Sequence, residues 1–408
     1  MKRIAILSVS LLLLLAGAAL SPALFSIMHS YPAISPVLIK SLVTIPSICV
    51  IIVNLLLNTK NKFTSQKQQL LVGLIIYALG GMLPLVSTSS FTVLLSSRVI
   101  LGLGLGLIAT PAIGVINEFF EGEQKQTMLG LAGAMNNLGT VIAVLFAGFV
   151  SIYDWHYTFY IYSLAVLSFV LILCYLPNHT VKKSEKKKLG SATSKATTTS
   201  IVSTATTTAT AATIANTGKP YLKLPLLIYA QMLLATVIYF IIPTNLSIYI
   251  SEKYGYTHSS ISGILMAVVS LAGVLTGLLY RKINQHLESI MGEFIFILFV
   301  ISMGLMSISS TLLLYVVGLV ISGLALGLAL PYFNSQLIAK SPREKQNQAL
   351  ALGTSMIFIG QFISPFLIDG LLPIVPGHNP FMLGAMLAVV IFIVVRVQHH
   401  KVINAWTS

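Results

Sequence analysis

Apolar runs of about twenty residues, the length needed to cross a bilayer as a helix, recur along the whole chain and are separated by short polar segments. The first, MKRIAILSVSLLLLLAGAALSPALFS (residues 1–26), has two readings. Two basic residues, an apolar stretch and a small-residue AGAA suit a cleavable signal peptide, and equally a first membrane span. The remaining pattern predicts further spans near 36–57, 69–87, 91–116, 127–150 and 157–177, then 224–250, 258–280, 290–308, 311–337, 348–371 and 381–397. Counting 4–26 as a span makes twelve. Between the two sets of six, a basic stretch (VKKSEKKK, 181–188) runs into Thr/Ala/Ser repeats that offer nothing to bury, which predicts a flexible linker. The expected organisation is a six-helix bundle at 1–178, a cytoplasmic linker at 179–222 and a second six-helix bundle at 223–408.

Composition agrees: 56% of residues are hydrophobic, 8% are charged, and mean hydropathy is +0.91. Soluble domains carry about a quarter charged residues, and a β-barrel would show short alternating segments instead. The fold class is therefore an all-α polytopic membrane protein. The net charge of +14 could suggest nucleic acid, but its distribution excludes that reading. With the N-terminus in the cytoplasm and the spans alternating, 21 of the 24 basic residues fall on the cytoplasmic side. Lys253 is outside, and Lys40 and Arg98 lie within spans. Both termini are expected in the cytoplasm, in a cell membrane of bacterial type. Cys49 and Cys174 lie in apolar runs and read as buried thiols rather than a disulfide or metal site.

Sliding the chain by 221 residues superimposes Pro22 on Pro243, Gly102 on Gly323, Gly106 on Gly327 and Gly139 on Gly360. A shift of 223 sets NLLLNTKN (54–61) against GLLYRKIN (277–284). Six spans repeated in the same order and orientation mean parallel halves, with a substrate path between them. The repeat also decides the opening stretch. Cleavage would leave Pro243 without its counterpart, so residues 1–26 are expected to remain as the first span.

LSSRVILGLGLG (95–106) resembles the fourth-helix motif of the major facilitator superfamily, an arginine preceding a glycine-rich stretch, with Arg98 and Gly102 at its key positions and Leu101 in place of the usual glutamine. NLLLNTKNKF (54–63) stands where that family has its loop motif after helix two; Asn54 and Asn61 replace glycines and Asn58 an aspartate. Gly277 and Arg281 hold the equivalent places in the second half. GTVIAVLFAG (139–148) is similar to the helix-five motif of the family's drug exporters without its proline, and GQFISPFLID (360–369) keeps Gly360 and Pro365. IYDWHYTFYIY (152–162) resembles the segment leading into helix six, with His156 in place of an arginine. The resemblance implies a twelve-helix transporter, in which helices 1, 4, 7 and 10 line the cavity and helices 2, 5, 8 and 11 meet between the halves.

The candidate working residues follow. Arg98, a cation inside a span, needs a polar cavity or a partner. It could attract an anion, tune a coupling carboxylate, or simply bond neighbouring carbonyls. Lys40, a turn into the second span, could snorkel to the outer interface. By the resemblance, cavity-lining candidates are Gln231, Tyr239 and Asn245 on helix seven, Tyr332, Asn334 and Gln336 on helix ten, and Asn136, Asn137 and Gln361 on helices five and eleven. Each could equally tie helices together. Glu118 and Asp369 are the proton-coupling candidates, both near span ends. Gly102, Gly106, Gly139, Gly323, Gly327 and Gly360 let backbones approach closely where helices must rock against each other. Pro22, Pro243 and Pro365 read as helix-shaping prolines. The run GLGLG lacks the following lysine and the strand context of a phosphate loop.

These readings converge on a secondary active transporter that exports small amphipathic compounds with proton antiport by alternating access. It is expected to act as a monomer in the bilayer, without cofactor or metal. Uptake or exchange of a small organic anion through Arg98 stands as the alternative, and a non-transporting sensor or scaffold as the reading from another class. The sequence holds no nucleophile triad, metal cluster or soluble domain that would make it an enzyme.

Overall fold

A computed structural model describes residues 1–60, 65–86, 90–177, 226–256, 258–287, 290–342 and 346–407. Within them the chain is helical throughout, with no strand. The linker expected at 179–222 lies outside the described residues, as do Asn61 and the side chains of Asn58 and Arg281.

The first span is broken. Helix α1 (Lys2–Ala18) leads through a 3-10 turn at Ser21–Ala23 into α2 (Leu24–Ser30). Four single-helix spans follow: α3 (Pro36–Lys60), α4 (Gln66–Val86), α5 (Phe91–Phe119) and α6 (Gly122–Val150). The sixth span opens as a 3-10 stretch, Trp155–Ser163, and continues as α7 (Leu164–Tyr175). The second half comprises α8 (Leu226–Tyr254), α9 (Ser259–Leu287), α10 (Met291–Ile308), α11 (Leu312–Lys340), α12 (Gln346–Leu371) and α13 (Pro380–Thr407). Twelve segments are long and apolar enough to cross a membrane, and the second and fourth, Pro36–Leu57 and Phe91–Ile116, match the hydropathy pattern residue for residue. Since the spans alternate, both chain ends share one face, called here the terminal face; the opposite one is the distal face.

Helices are the outcome because hydrocarbon offers the backbone no hydrogen-bond partner, so each segment must satisfy its own N–H and C=O groups. Side chains close some of the ends. Ser90 caps α5 by accepting from the Thr92 amide at 3.3 Å, and Thr311 caps α11 by accepting from Leu314 at 3.4 Å. At the other end of α7, the Lys67 ammonium donates to the carbonyls of Leu173 (3.0 Å) and Leu176 (2.5 Å), a cation set where the helix dipole is negative.

Buried apolar side chains form two cores, one drawn almost entirely from α1–α7 and the other from α8–α13. The internal repeat reappears in their packing. Gly102 and Gly106 of α5 lie against Pro46, Cys49 and Val53 of α3, while Gly323 and Gly327 of α11 lie against Val269, Ala272 and Gly273 of α9. Gly139 of α6 meets the Leu11 carbonyl of α1, and Gly360 of α12 meets the Leu233 carbonyl of α8. These glycines therefore close contacts inside each half.

The repeated prolines differ. The first span breaks just before Pro22, whereas Pro243 sits inside the unbroken α8; Pro365 is likewise inside α12. The thiols differ too: Cys49 is buried as expected, but Cys174 is exposed on the outer surface of α7, where a small apolar side chain can face lipid.

Close backbone contact leaves no room for a branched side chain. A Cβ at Gly360 would lie 2.6 Å from the Leu233 carbonyl oxygen, whereas one at Gly304 meets nothing within 4 Å. Gly360→Val is expected to destabilise the protein by about 1–3 kcal/mol, the range for overpacking, and Gly304→Ala to leave it unchanged. A thermal melt of both variants in detergent checks this.

Candidate functional site

The halves meet along two long contacts, α6 against α9 and α3 against α12, with the distal part of the first span lying on α8 and α9. Along the first contact, Gly148 of α6 and Gly263 of α9 touch backbone to backbone: a Cβ at Gly148 would lie 2.8 Å from the Gly263 Cα. Beside it, the break in the first span frees polar backbone groups that the second half takes up. Ser247 of α8 donates to the Pro22 carbonyl at 2.7 Å and accepts from the Phe25 amide at 3.3 Å, and the Ser26 and Ser259 hydroxyls lie 3.4 Å apart.

Along the second contact, the Lys40 ammonium of α3 donates to both carboxylate oxygens of Asp369 on α12, at 2.7 and 2.9 Å. Both side chains are only 7% exposed. Lys40 was expected to reach for the outer interface; it turns inward instead, because a carboxylate on the facing helix is within reach. Among the described residues this is the one ion pair that joins the halves. Asp154–His156 and Arg396–Glu293 each stay within a half. Two turns deeper on α12, Gln361 approaches the first span, its Nε2 3.5 Å from where a Cβ on Gly17 would stand.

At the distal rim of the first half, side chains tie the first span to the sixth. Trp155 donates from Nε1 to Ser30 Oγ at 2.8 Å and stacks on His156, whose Nδ1 lies 2.5 Å from Asp154 Oδ1. A shallow cavity of about 530 Å³ opens there, lined by Phe25, His29, Asp154 and Trp155 among others.

Arg98 is placed elsewhere. It has no exposed surface and lies inside the first half, where Nη1 donates to Tyr162 Oη at 2.8 Å and the guanidinium packs over the rings of Phe159 and Tyr162 at 4.9 and 5.0 Å. Tyr162 in turn donates to the Ala16 carbonyl at 3.1 Å, and Tyr77 donates to that of Leu12 at 3.1 Å. Of the three roles read for Arg98, this geometry is that of a helix tie. It links α5 to the sixth span and, through Tyr162, to α1.

The remaining candidates divide. Asn245 and Asn137 donate to carbonyls of their own helices, at Ile241 (2.9 Å) and Gly133 (3.1 Å). Tyr332 turns its hydroxyl onto Gly292 of α10, inside the second half. Gln231, Asn136 and Asn334 are buried, and Tyr239 and Gln336 half-buried. Glu118 is half-buried at the terminal-face end of α5, the full length of a span from Asp369. Asn54, read as a stand-in for a motif glycine, is buried and accepts from Thr110 at 3.0 Å, pinning α3 to α5. Gly148 was read as the closing glycine of the helix-five motif stretch, whereas Gly263, Ser247 and the partnership of Lys40 escaped the sequence reading. A signal for the charged seam was present, because GTVIAVLFAG and GQFISPFLID align Gly148 with Asp369.

Two helical halves related by an internal repeat, meeting along α3–α12 and α6–α9, describe a class of polytopic membrane transporter. The chain matches the Major Facilitator Superfamily over residues 6–365 and belongs to that family. Its similarity to individual relatives is partial. It is 29% identical over 120 residues to an aminotriazole resistance protein of Saccharomyces cerevisiae, covering 28% of this chain and 22% of that one. It is 29% identical over 105 residues to the multidrug efflux pump SdrM of Staphylococcus aureus, covering 25% and 23%. The chain thus spans less than a quarter of the length of each of these relatives. Among solved structures, a POT family transporter in complex with 5-aminolevulinic acid superimposes with a TM-score of 0.74 at 14% identity, covering 98% of this chain and 96% of that one, a likeness of fold.

Because Tyr162 supplies the acceptor for a wholly enclosed guanidinium, Tyr162→Phe is expected to destabilise the first half by about 1.5–3 kcal/mol, the range for a hydrogen bond to a charged group. A denaturation midpoint lowered in that variant, and unchanged in the exposed Tyr153→Phe, is the measurement that checks it.

Proposed function

We propose that this chain is a proton-coupled exporter of small amphipathic compounds that works by alternating access, its two six-helix halves (1–178 and 223–408) moving about the contact between them. The observation that carries this reading is the junction of the halves. Among the described residues, polar contacts between them are found at the distal face: the Lys40–Asp369 pair, Ser247 with Pro22 and Phe25, and Ser26 with Ser259. A path between the halves is then shut at that face and can open only when these contacts part.

The lysine and arginine bias supports cytoplasmic termini, which makes the distal face the outer one; the membrane in this reading is a bacterial cell membrane. Few charges reach the interior, which favours neutral or lipophilic cargo over sugars, whose hydroxyls ask for many hydrogen-bonding side chains. The partial likeness to a multidrug efflux pump and a resistance protein supports export. Of the two carboxyl candidates for the coupling proton, Asp369 lies between the halves and Glu118 at the cytoplasmic end of α5, so Asp369 is the better placed. The anion reading loses its support, since Arg98 faces Tyr162 and Phe159 in the core of the first half.

Everted membrane vesicles energised to an acidic interior test the proposal. Adding a neutral amphipathic compound is expected to release protons, read as recovery of acridine orange fluorescence, only in vesicles that contain the protein. Recovery with small organic acids and none with neutral amphiphiles would overturn the choice of cargo; no recovery with either would overturn proton antiport.

A further inference from the structure

The two contacts between the halves at the distal face are repeat equivalents, yet they are built from opposite chemistry. At an offset of 221, Gly148 of α6 corresponds to Asp369 of α12. At 223, the offset that aligns 54–61 with 277–284 in the same pair of spans, Lys40 of α3 corresponds to Gly263 of α9. On one seam, therefore, Gly148 meets Gly263 with nothing between their backbones; on the other, the same two positions are a lysine and an aspartate bonded at 2.7 and 2.9 Å.

The glycine seam shows that this architecture can close without charge. A buried ion pair is no more stabilising than an apolar replacement, since removing both groups from water offsets their attraction. Stability therefore does not explain why one seam carries charges. What the pair adds is dependence on protonation, which glycine cannot supply. Ionised Asp369 holds the Lys40 ammonium at the seam; neutral Asp369 leaves that ammonium facing an uncharged group where little water reaches it.

We propose that Lys40–Asp369 is a proton-operated latch on the distal face, with the Gly148–Gly263 contact as its uncharged pivot. This rests on the alternating-access reading above. A proton from the distal aqueous phase adds to a carboxylate oxygen of Asp369, giving the neutral acid; Lys40 keeps its own proton and becomes hydrated as the seam parts. Loss of that proton restores the carboxylate and the closed seam. Falling pH on the distal side thus favours opening, and rising pH favours closure. The elements packed on α3 and α12 bring other titratable or charged groups toward this face: His29 of α2, Arg98 of α5, Tyr239, Tyr249, Glu252, Lys253 and Tyr254 of α8, Tyr315 of α11, and His378 beyond α12. Arg98 is bonded to Tyr162, Lys253 to Tyr249 and His29 to the Phe25 carbonyl. Among the described residues none bonds to Lys40 or Asp369. The cations of α1, α11 and α13 (Lys2, Arg3, Lys340, Arg396) lie at the opposite ends of their helices.

The test is a distance across the seam. Spin labels introduced by Tyr153→Cys and Ile374→Cys, two exposed distal positions in different halves, are measured in lipid nanodiscs with Cys49 and Cys174 replaced by serine. As pH is lowered from about 8 to about 4, the long-distance population is expected to rise several-fold in the parent. Asp369→Asn should hold it high at every pH. The double variant Lys40→Met/Asp369→Leu, which removes both charges, should hold it low and flat. A flat parent response, or a double variant that keeps the parent's pH response, overturns the latch. Export measured on the same proteins in vesicles separates the two proposals: export with a flat response sinks the latch alone, and a pH response without export of any amphiphile sinks the exporter reading alone.

Discussion

A bilayer gives the backbone nothing to bond to and gives apolar side chains no reason to leave one neighbour for another, and this structure follows from those two absences. The first makes every span a helix. The second removes the hydrophobic drive between helices, so they must hold one another by close backbone approach and by polar contacts. Glycine supplies the approach at Gly102, Gly106 and Gly139 in one half and at Gly323, Gly327 and Gly360 in the other. Tyrosine supplies much of the polar contact in the first half: Tyr77 and Tyr162 donate to carbonyls of α1, and Tyr162 also accepts from Arg98.

Within each half the repeat is conservative, and between the halves it is not. The same pairs of spans pack through the same glycines in both bundles. The contacts that join the bundles have diverged: the first span breaks at Pro22 where its counterpart runs straight through Pro243, and a glycine pair on one seam stands opposite an ion pair on the other. A transporter needs rigid halves and a junction that can be made and unmade. Symmetry serves the first need; at the junction one seam is held by an ion pair and the other by bare backbone contact.

The spans and the repeat were legible because they depend on local composition and on spacing along the chain, which hydropathy reads directly. Site residues were less so. A charged residue in a helix that is apolar all round, such as Arg98 in α5, gives no hint of which way it points, because no polar face fixes the rotation of the helix about its axis. The same holds for Lys40, whose partner is 329 residues away. Asn245 and Asn137 looked like cavity groups by type but bond their own helices, a competing local option open to any short amide.

The sequence by itself determined the twelve spans, their two-fold repetition, the face toward which lysine and arginine gather, and family membership through the motif around Arg98. These are properties of segments, set by the free energy of placing each stretch in hydrocarbon or water. Only the tertiary structure decided that Arg98 ties helices within one half, that the repeated glycines act inside the bundles, and that Lys40 meets Asp369 between them. Those are properties of rotation and contact. They depend on how helices that are apolar on every side settle against one another, which packing decides and hydropathy does not record.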